Sequence, residues 1–349
     1  MNTVVTRFIS EYAASEKPAE YVLKGRYAER PRGILISALK RFNGSVVAAS
    51  GKQRVVMHRG QVAGGFQVNL TSLSGVEAYE ASRSTTVAKA YFSSVGVPVP
   101  RGRSFSPRRF QEALEYLAGW KGAPLVLKPS TTTGGRGVVR GIRTAQDLEK
   151  AWEIASAVRV RGLGGTNELI LEEQIEGIDV RAFIAGERVV AATARIPLFA
   201  VGDGRRNLAQ LTDRALRSRT GNPVLLENPI SRDDILKANA LDPSEVPAAG
   251  EVTLLSSRVG LQDGGLTVDV TDAMSPELRE LAVRAAWSVP GCPVTGVDLL
   301  VPSLNSSEDA VVLQIDVEAP LAVHHFPWVG STRPVAEAVA RSIIRHGRN

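Results

Sequence analysis

The stretch "PLVLKPSTTTGGRGVVR", residues 124–140, decides how the rest of the chain is read. Pro124 to Leu127 reads as one strand and Val138-Val139 begins another. Between Pro129 and Gly137 no side chain is apolar, so the connection has nothing to bury. It offers backbone N–H groups, hydroxyls and one guanidinium. Gly134, Gly135 and Gly137 permit positive φ and a close approach of backbone to an anion. Lys128 ends the strand where its ammonium can meet that anion. A Walker A loop is excluded, because there the lysine follows the glycines and leads into a helix. Taken alone, the stretch also reads as an ordinary glycine-rich hairpin, so features elsewhere have to choose.

Composition sets the frame for that choice. The 349 residues suffice for two or three subdomains with a sizeable core. A hydrophobic fraction of 44% and a charged fraction of 22% are those of a soluble globular protein. The N-terminus has no apolar run of signal-peptide length and no later segment reaches membrane-span length. The single cysteine, Cys292, excludes an internal disulfide framework and suits a reducing compartment. The expectation is therefore a cytoplasmic protein without a membrane partner. A net charge of +6 permits an anionic partner without saying whether it is a nucleotide, a nucleic acid or a metabolite.

The element pattern reads as α+β, with many hairpins, rather than a doubly wound sheet. Residues 33–72 read as helix, strand and hairpin, and residues 82–94 as one helix. Ser106 is expected to cap a helix with Pro107 at its first position, and Thr144 another with Asp147 three residues on. "ELILEEQIEG" gives a strand and "DVRAFIAGERVVAATARIP" a strand pair. Ser275-Pro276 opens a helix, "TGVDLLV" and "AVVLQIDVEA" are late strands, and an amphipathic helix follows Pro334.

Two acidic stretches then join the glycine loop. In "ELILEEQIEGIDVR", residues 168–181, a strand end with Glu172 and Glu173 can present the Glu173 C=O and the Ile175 N–H to a purine edge. Asp179 stands where a carboxylate can take ribose hydroxyls. The plain alternative is an edge hairpin with a solvated acidic tip. Later, Asp298 lies in one strand, while "QIDVEAP" puts Gln314, Asp316 and Glu318 on one face of another at period two. Two acids and an amide oxygen make a hard, oxygen-rich site that suits Mg²⁺. The alternative here is a polar strand face with no metal.

Lysine-proline before a glycine loop, an acidic hinge about 45 residues later and a late acidic metal pair together resemble the ATP-grasp ligases. More narrowly, the chain resembles the ATP-grasp part of cyanophycin synthetases and of bifunctional glutathione-forming ligases. "GVPVPRG" at 96–102, "ARIPLFAVGDGRRNLAQL" at 194–211, "PAAGEVTLL" with "GGLTVDVTD", and "HHFPWVG" at 324–330 carry that likeness. The resemblance implies an ATP-grasp fold: an N-terminal α/β domain (1–80), a central glycine-loop lid domain (81–178) and a C-terminal antiparallel-sheet domain (179–349).

It also implies an ATP-dependent carboxylate–amine ligase acting through an acyl phosphate, on amino-acid-like substrates. Lys128, Lys89, Thr133, Gly134, Gly135 and Gly137 would hold phosphates, with Lys89 replacing a family lysine that is Thr85 here. Glu172, Glu173, Ile175 and Asp179 would hold adenosine. Mg²⁺ would sit on Asp298, Gln314 and Asp316, although the family's Glu-x-Asn aligns with Gln314-x-Asp316. Arg195 would stabilise the acyl phosphate, and Arg258 would replace a displaced phosphate-facing arginine. The implied partners are ATP, a small carboxylate and an amine, with a homodimer carried as a further expectation. Rival readings are a nucleotide-binding homologue without ligase activity and, ranked last, nucleic-acid binding through Arg205, Arg206, Arg214, Arg217 and Arg219. His324 and His325 read either as substrate contacts at the mouth of the metal site or as packing residues, and stand outside the catalytic set.

Overall fold

A computed structural model describes residues 3–21, 33–131, 134–158 and 167–346. Helix α1 (Thr3–Phe8) runs into a single π-turn, Ile9–Ala13. Helix α2 (Ile34–Arg41) leads into four antiparallel strands paired in chain order: β1 (Gly44–Ala48), β2 (Gln53–His58), β3 (Gln61–Gln67) and β4 (Leu70–Thr71). The β2–β3 hairpin turns on Arg59-Gly60, both at positive φ, which matches the twist of the flanking strands. Next come α3 (Val76–Arg83) and α4 (Thr85–Ser94). The sequence reads as one helix here, but Ser84 breaks it. Its backbone is extended, and its Oγ accepts from the Val87 N–H as the cap of α4.

The lid follows: β5 (Gly102–Phe105), α5 (Phe110–Gly119), β6 (Leu125–Pro129), β7 (Val139–Ile142), α6 (Ala145–Ser156) and β8 (Leu169–Glu173). These strands make an antiparallel sheet in the order β5-β8-β6-β7. Helix α5 starts later than the sequence suggests. Ser106 to Arg109 form a turn in which the Arg109 N–H donates to the Ser106 C=O at 2.9 Å, and Arg109 is non-helical at φ −107, ψ 45. Thr144 and Asp147 form the reciprocal cap of α6. Phe105, Leu125, Leu127, Leu148, Trp152 and Leu171 give the lid its own core.

The remainder runs β9 (Ile178–Ala185), β10 (Val189–Ile196), β11 (Phe199–Val201), α7 (Leu208–Arg217), α8 (Pro223–Leu226), α9 (Arg232–Ala238), β12 (Val252–Leu254), β13 (Leu266–Asp269), α10 (Pro276–Trp287), β14 (Val294–Val301), β15 (Val311–Asp316), α11 (Ala322–His325) and α12 (Val335–His346). Among the described residues, β13-β10-β9-β14-β15 form an antiparallel five-stranded sheet and β11-β12 a small pair. Leu278, Ala282 and Ala285 of α10 join the core on one face of the large sheet. On the other face Val339, Ala340 and Ile343 of α12 pack with Phe183, with Leu35 and Leu39 of α2, and with Val56 of β2. The first sheet thus shares its core with the last helix, across the domain boundary expected near residue 80. No helix among the described residues is long and apolar enough to cross a membrane.

Candidate functional site

A cavity of about 1790 Å³ lies between the lid and the large sheet. Lys128, Gly134, Gly135, Glu172 and Ile175 line its lid side, and Arg181, Arg195, Asp298 and Asp316 its sheet side.

At the lid end, strand pairing builds a buried ion triad. Val126 faces Glu172 across β6 and β8, and Lys128 sits two residues along on the same face. Lys128 Nζ reaches Glu172 Oε1 at 2.6 Å, while Lys89 holds the other carboxylate oxygen and also donates to the Pro100 C=O at 3.1 Å. Lys89 arrives because the start of α4 is tied to the end of β6: the Thr85 N–H donates to the Ser130 C=O at 2.9 Å. Burial alone would push Glu172 up, but Lys128 and then Lys89 outweigh it and hold the carboxyl below its ordinary range. Burial lowers Lys89, with Glu172 opposing. Gly102 lets β5 pass, since a Cβ there would lie 2.5 Å from Glu172 Cβ.

The other lid residues are placed as follows. The Glu173 carboxylate is held by Arg101, from Nε at 2.8 Å and the backbone N–H at 2.9 Å, and the Glu173 N–H donates to the Arg101 C=O at 2.8 Å. Gly134, Gly135 and Gly137 all have positive φ, between 68° and 75°. The Gly134 C=O accepts from Gln262 Nε2 at 3.4 Å, so the loop reaches across to the opposite wall. Thr133 lies outside the described residues.

The centre of the cavity is a lattice of opposite charges. Asp179 and Arg195 face each other across β9 and β10, and Arg195 Nε donates to Asp179 Oδ1 at 2.7 Å. Arg195 Nη2 also lies 3.0 Å from Asp298 Oδ2. Arg181 grips Asp298 with both prongs, Nε to Oδ1 at 2.7 Å and Nη2 to Oδ2 at 2.9 Å, and its Nη1 reaches Asp316 at 3.1 Å. Gly296 lets β14 pass Ala319, whose Cβ would lie 2.8 Å from a Cβ there. Burial raises the Asp179 carboxyl; Arg195 opposes the shift and the Asp298 charge adds to it. For Asp298, burial is overcome by Arg181 and Arg195, which hold it well below the usual range. Asp179, expected at a ribose, lines the cavity with its Oδ1 accepting from Arg195.

The expected metal set needs correction. The register does place Asp298 opposite Gln314 and Gly296 opposite Asp316. Yet Gln314 turns its Nε2, not its oxygen, to Asp298 Oδ2 at 2.8 Å. Glu318 lies beyond β15 and is exposed, and its N–H donates to Asp316 Oδ1 at 3.0 Å. No cluster of three or more His, Cys, Asp or Glu side chains placed to hold a metal occurs among the described residues. With both Asp298 oxygens already accepting from cations, this donor set does not fit an octahedral oxygen cage.

Arg258 lines the cavity from the opposite wall, largely exposed, 3.6 Å from Asp263. The basic cluster divides. Arg205, Arg206, Arg214 and Arg217 are exposed, and Arg206 pairs with Asp203. Arg219 is buried instead and donates to the Asn228 C=O at 3.0 Å. Arg181 is the residue that sequence reasoning passed over. Its signal was the alternation on β9, where Asp179 and Arg181 share a face.

His324 and His325 are both buried. His324 Nδ1 bonds Thr193 Oγ1 at 2.7 Å, and His325 Nε2 accepts from the Ala336 N–H at 3.2 Å. Burial, with Arg181 adding, lowers His324 to about 3. Burial, with Arg41 adding, lowers His325 to about 4. A neutral native histidine gives up stability as the unfolded chain takes protons below pH 6.5. Each should therefore remove about 2 kcal/mol between pH 6.5 and pH 5. Urea unfolding at pH 7 and pH 5 checks this, and His325→Gln should remove about half of the difference.

No protein-family model matches the chain. Cyanophycin synthetase of Trichormus variabilis is 28% identical over 284 residues, covering 78% of this chain and 30% of that protein. The glutathione biosynthesis bifunctional protein GshAB of Mannheimia succiniciproducens is 28% identical over 262 residues, covering 71% of this chain and 33% of its own length. The chain thus spans about a third of the curated relatives it matches. A bifunctional glutathione synthetase from Pasteurella multocida superposes with a TM-score of 0.60 at 21% identity, over 86% of this chain and 42% of that one. In sequence the chain resembles cyanophycin synthetases and bifunctional glutathione-forming enzymes, and its α+β architecture is the ATP-grasp fold.

Proposed function

We propose that this chain is an ATP-dependent carboxylate–amine ligase that releases ADP and phosphate. One observation carries the reading. A single cavity joins a two-lysine, glycine-loop end to a two-guanidinium centre. The first suits a triphosphate and the second suits the charge of a phosphoryl group in transfer. In this reading Lys128, Lys89 and the loop of Gly134 and Gly135 take the phosphates, while the Glu173 C=O and Ile175 N–H meet the adenine. The substrate carboxylate oxygen attacks the γ-phosphorus, and the β–γ bridging oxygen leaves with ADP. An amine then attacks the acyl carbon and phosphate departs. Arg195 and Arg181 stabilise the acyl phosphate and the tetrahedral oxyanion. No nucleophilic side chain is needed, because the task is positioning and charge neutralisation. The curated relatives are named for cyanophycin synthesis and for glutathione biosynthesis, and we take amino-acid pairs as the substrates to test first.

The test is ADP release with ATP and pairs of amino acids. Release that requires both partners supports the ligase. ATP binding without release under any pair supports the second reading, a nucleotide-binding homologue, which the Gln314 substitution favours. Lys128→Ala should weaken ATP binding by about 1.5–3 kcal/mol, roughly 10- to 150-fold, as judged by calorimetry. Unchanged affinity would remove Lys128 from the phosphate site.

A further inference from the structure

We infer that the resident cation of the Asp298–Asp316 pair is the guanidinium of Arg181, and that the nucleotide-free protein holds no divalent ion there. The donor inventory carries this. Asp298 Oδ2 already accepts from Arg181 Nη2, Arg195 Nη2 and Gln314 Nε2, at 2.9, 3.0 and 2.8 Å. Its Oδ1 accepts from Arg181 Nε at 2.7 Å. One Asp316 oxygen faces Arg181 Nη1 at 3.1 Å and the other takes the Glu318 N–H. Gln314, on the strand position facing Asp298, supplies a donor where a third carboxylate would have supplied an acceptor.

The positions of the groups reinforce the point. Arg181 and Asp298 are both buried, paired in a fork-to-fork geometry that a small spherical ion does not reproduce. A divalent ion could enter only by expelling that fork, which leaves a buried guanidinium without its partner. The centre therefore reads as two guanidiniums and three aspartates already paired with one another. It is the reverse of a carboxylate cage waiting for a metal.

The experiment uses Mn²⁺ alone, followed by the electron paramagnetic resonance signal of the free ion, on the nucleotide-free chain. The wild type should leave the signal unchanged up to roughly millimolar Mn²⁺, the weak end of protein oxygen sites. Arg181→Met frees Asp298 Oδ1 and one Asp316 oxygen and should bind Mn²⁺ at least about tenfold more tightly. Should that variant fail to fold, Arg181→Gln tests the same idea with a polar side chain in place of the fork. It removes the guanidinium from between the two aspartates and should also bind Mn²⁺ at least about tenfold more tightly. One equivalent bound by the wild type at micromolar Mn²⁺ and lost in Asp298→Asn overturns the inference. So does an Arg181→Gln protein that binds no better than wild type. No turnover is read, so this inference and the ligase reading fail separately.

Discussion

An Arg195→Ala variant is expected to turn over ATP about two to three orders of magnitude more slowly, the usual cost of one oxyanion donor. Its ATP affinity should change little, because Lys128, proposed above to take a phosphate, sits at the other end of the cavity. Arg195 is suited to the role by its partners. Asp179 and Asp298 fix two edges of its guanidinium, and its side chain stays 23% exposed to the cavity. A fixed donor stabilises a developing charge without first reorganising. Arg195→Lys should recover little of the loss, since an ammonium cannot span both aspartates. Steady-state ADP release with a productive substrate pair, alongside calorimetric ATP binding, separates the two effects. Turnover within threefold of wild type would take Arg195 out of the chemistry.

Asp298→Ala should cost about 3–5 kcal/mol of folding stability, the range for breaking one side of a buried ion pair. The loss is large because Arg181 stays buried with only Asp316 to face, and Arg195 keeps only Asp179. Chemical unfolding at pH 7 measures it. The sign with pH follows from the lowered native carboxyl. Its contribution is complete above the ordinary aspartate value near 3.8 and is lost as pH falls below that toward the native value. Wild type and variant should converge only in strong acid. Glu318→Ala, exposed beyond β15, should shift stability by no more than about 0.5 kcal/mol.

Local chemistry was legible wherever one residue sets the outcome. Thr144 with Asp147, and Ser275 before Pro276, cap their helices as read. The glycines of the lid loop take positive φ, and the late strands bring Asp298 and Gln314 face to face. The reading failed where a side chain could choose between partners. Ser106 favoured a turn over a cap because Arg109 left the helical region. Gln314 presented its nitrogen rather than its oxygen because Asp298 was already the local anion. Arg181 was overlooked because its partner lies 117 positions away, beyond the reach of any spacing rule. The nearer pairing of Asp179 with Arg195 was open to inspection, since both stand equally far from the hairpin turn of β9 and β10.

The shared core of α2, β2 and α12 has a consequence for how the chain comes off the ribosome. Roughly 290 residues separate the end of α2 from the start of α12. At about 5–20 residues per second, synthesis takes about 15–60 seconds to deliver the second after the first. Through that interval the face of the first sheet that carries Val56 and Ala63 has no helix α12 to cover it. Its edge strand β1 also presents unpaired backbone to any neighbouring nascent chain. The lid, with a core made from its own residues, can close early and alone. The opening sheet has to wait for the final helix.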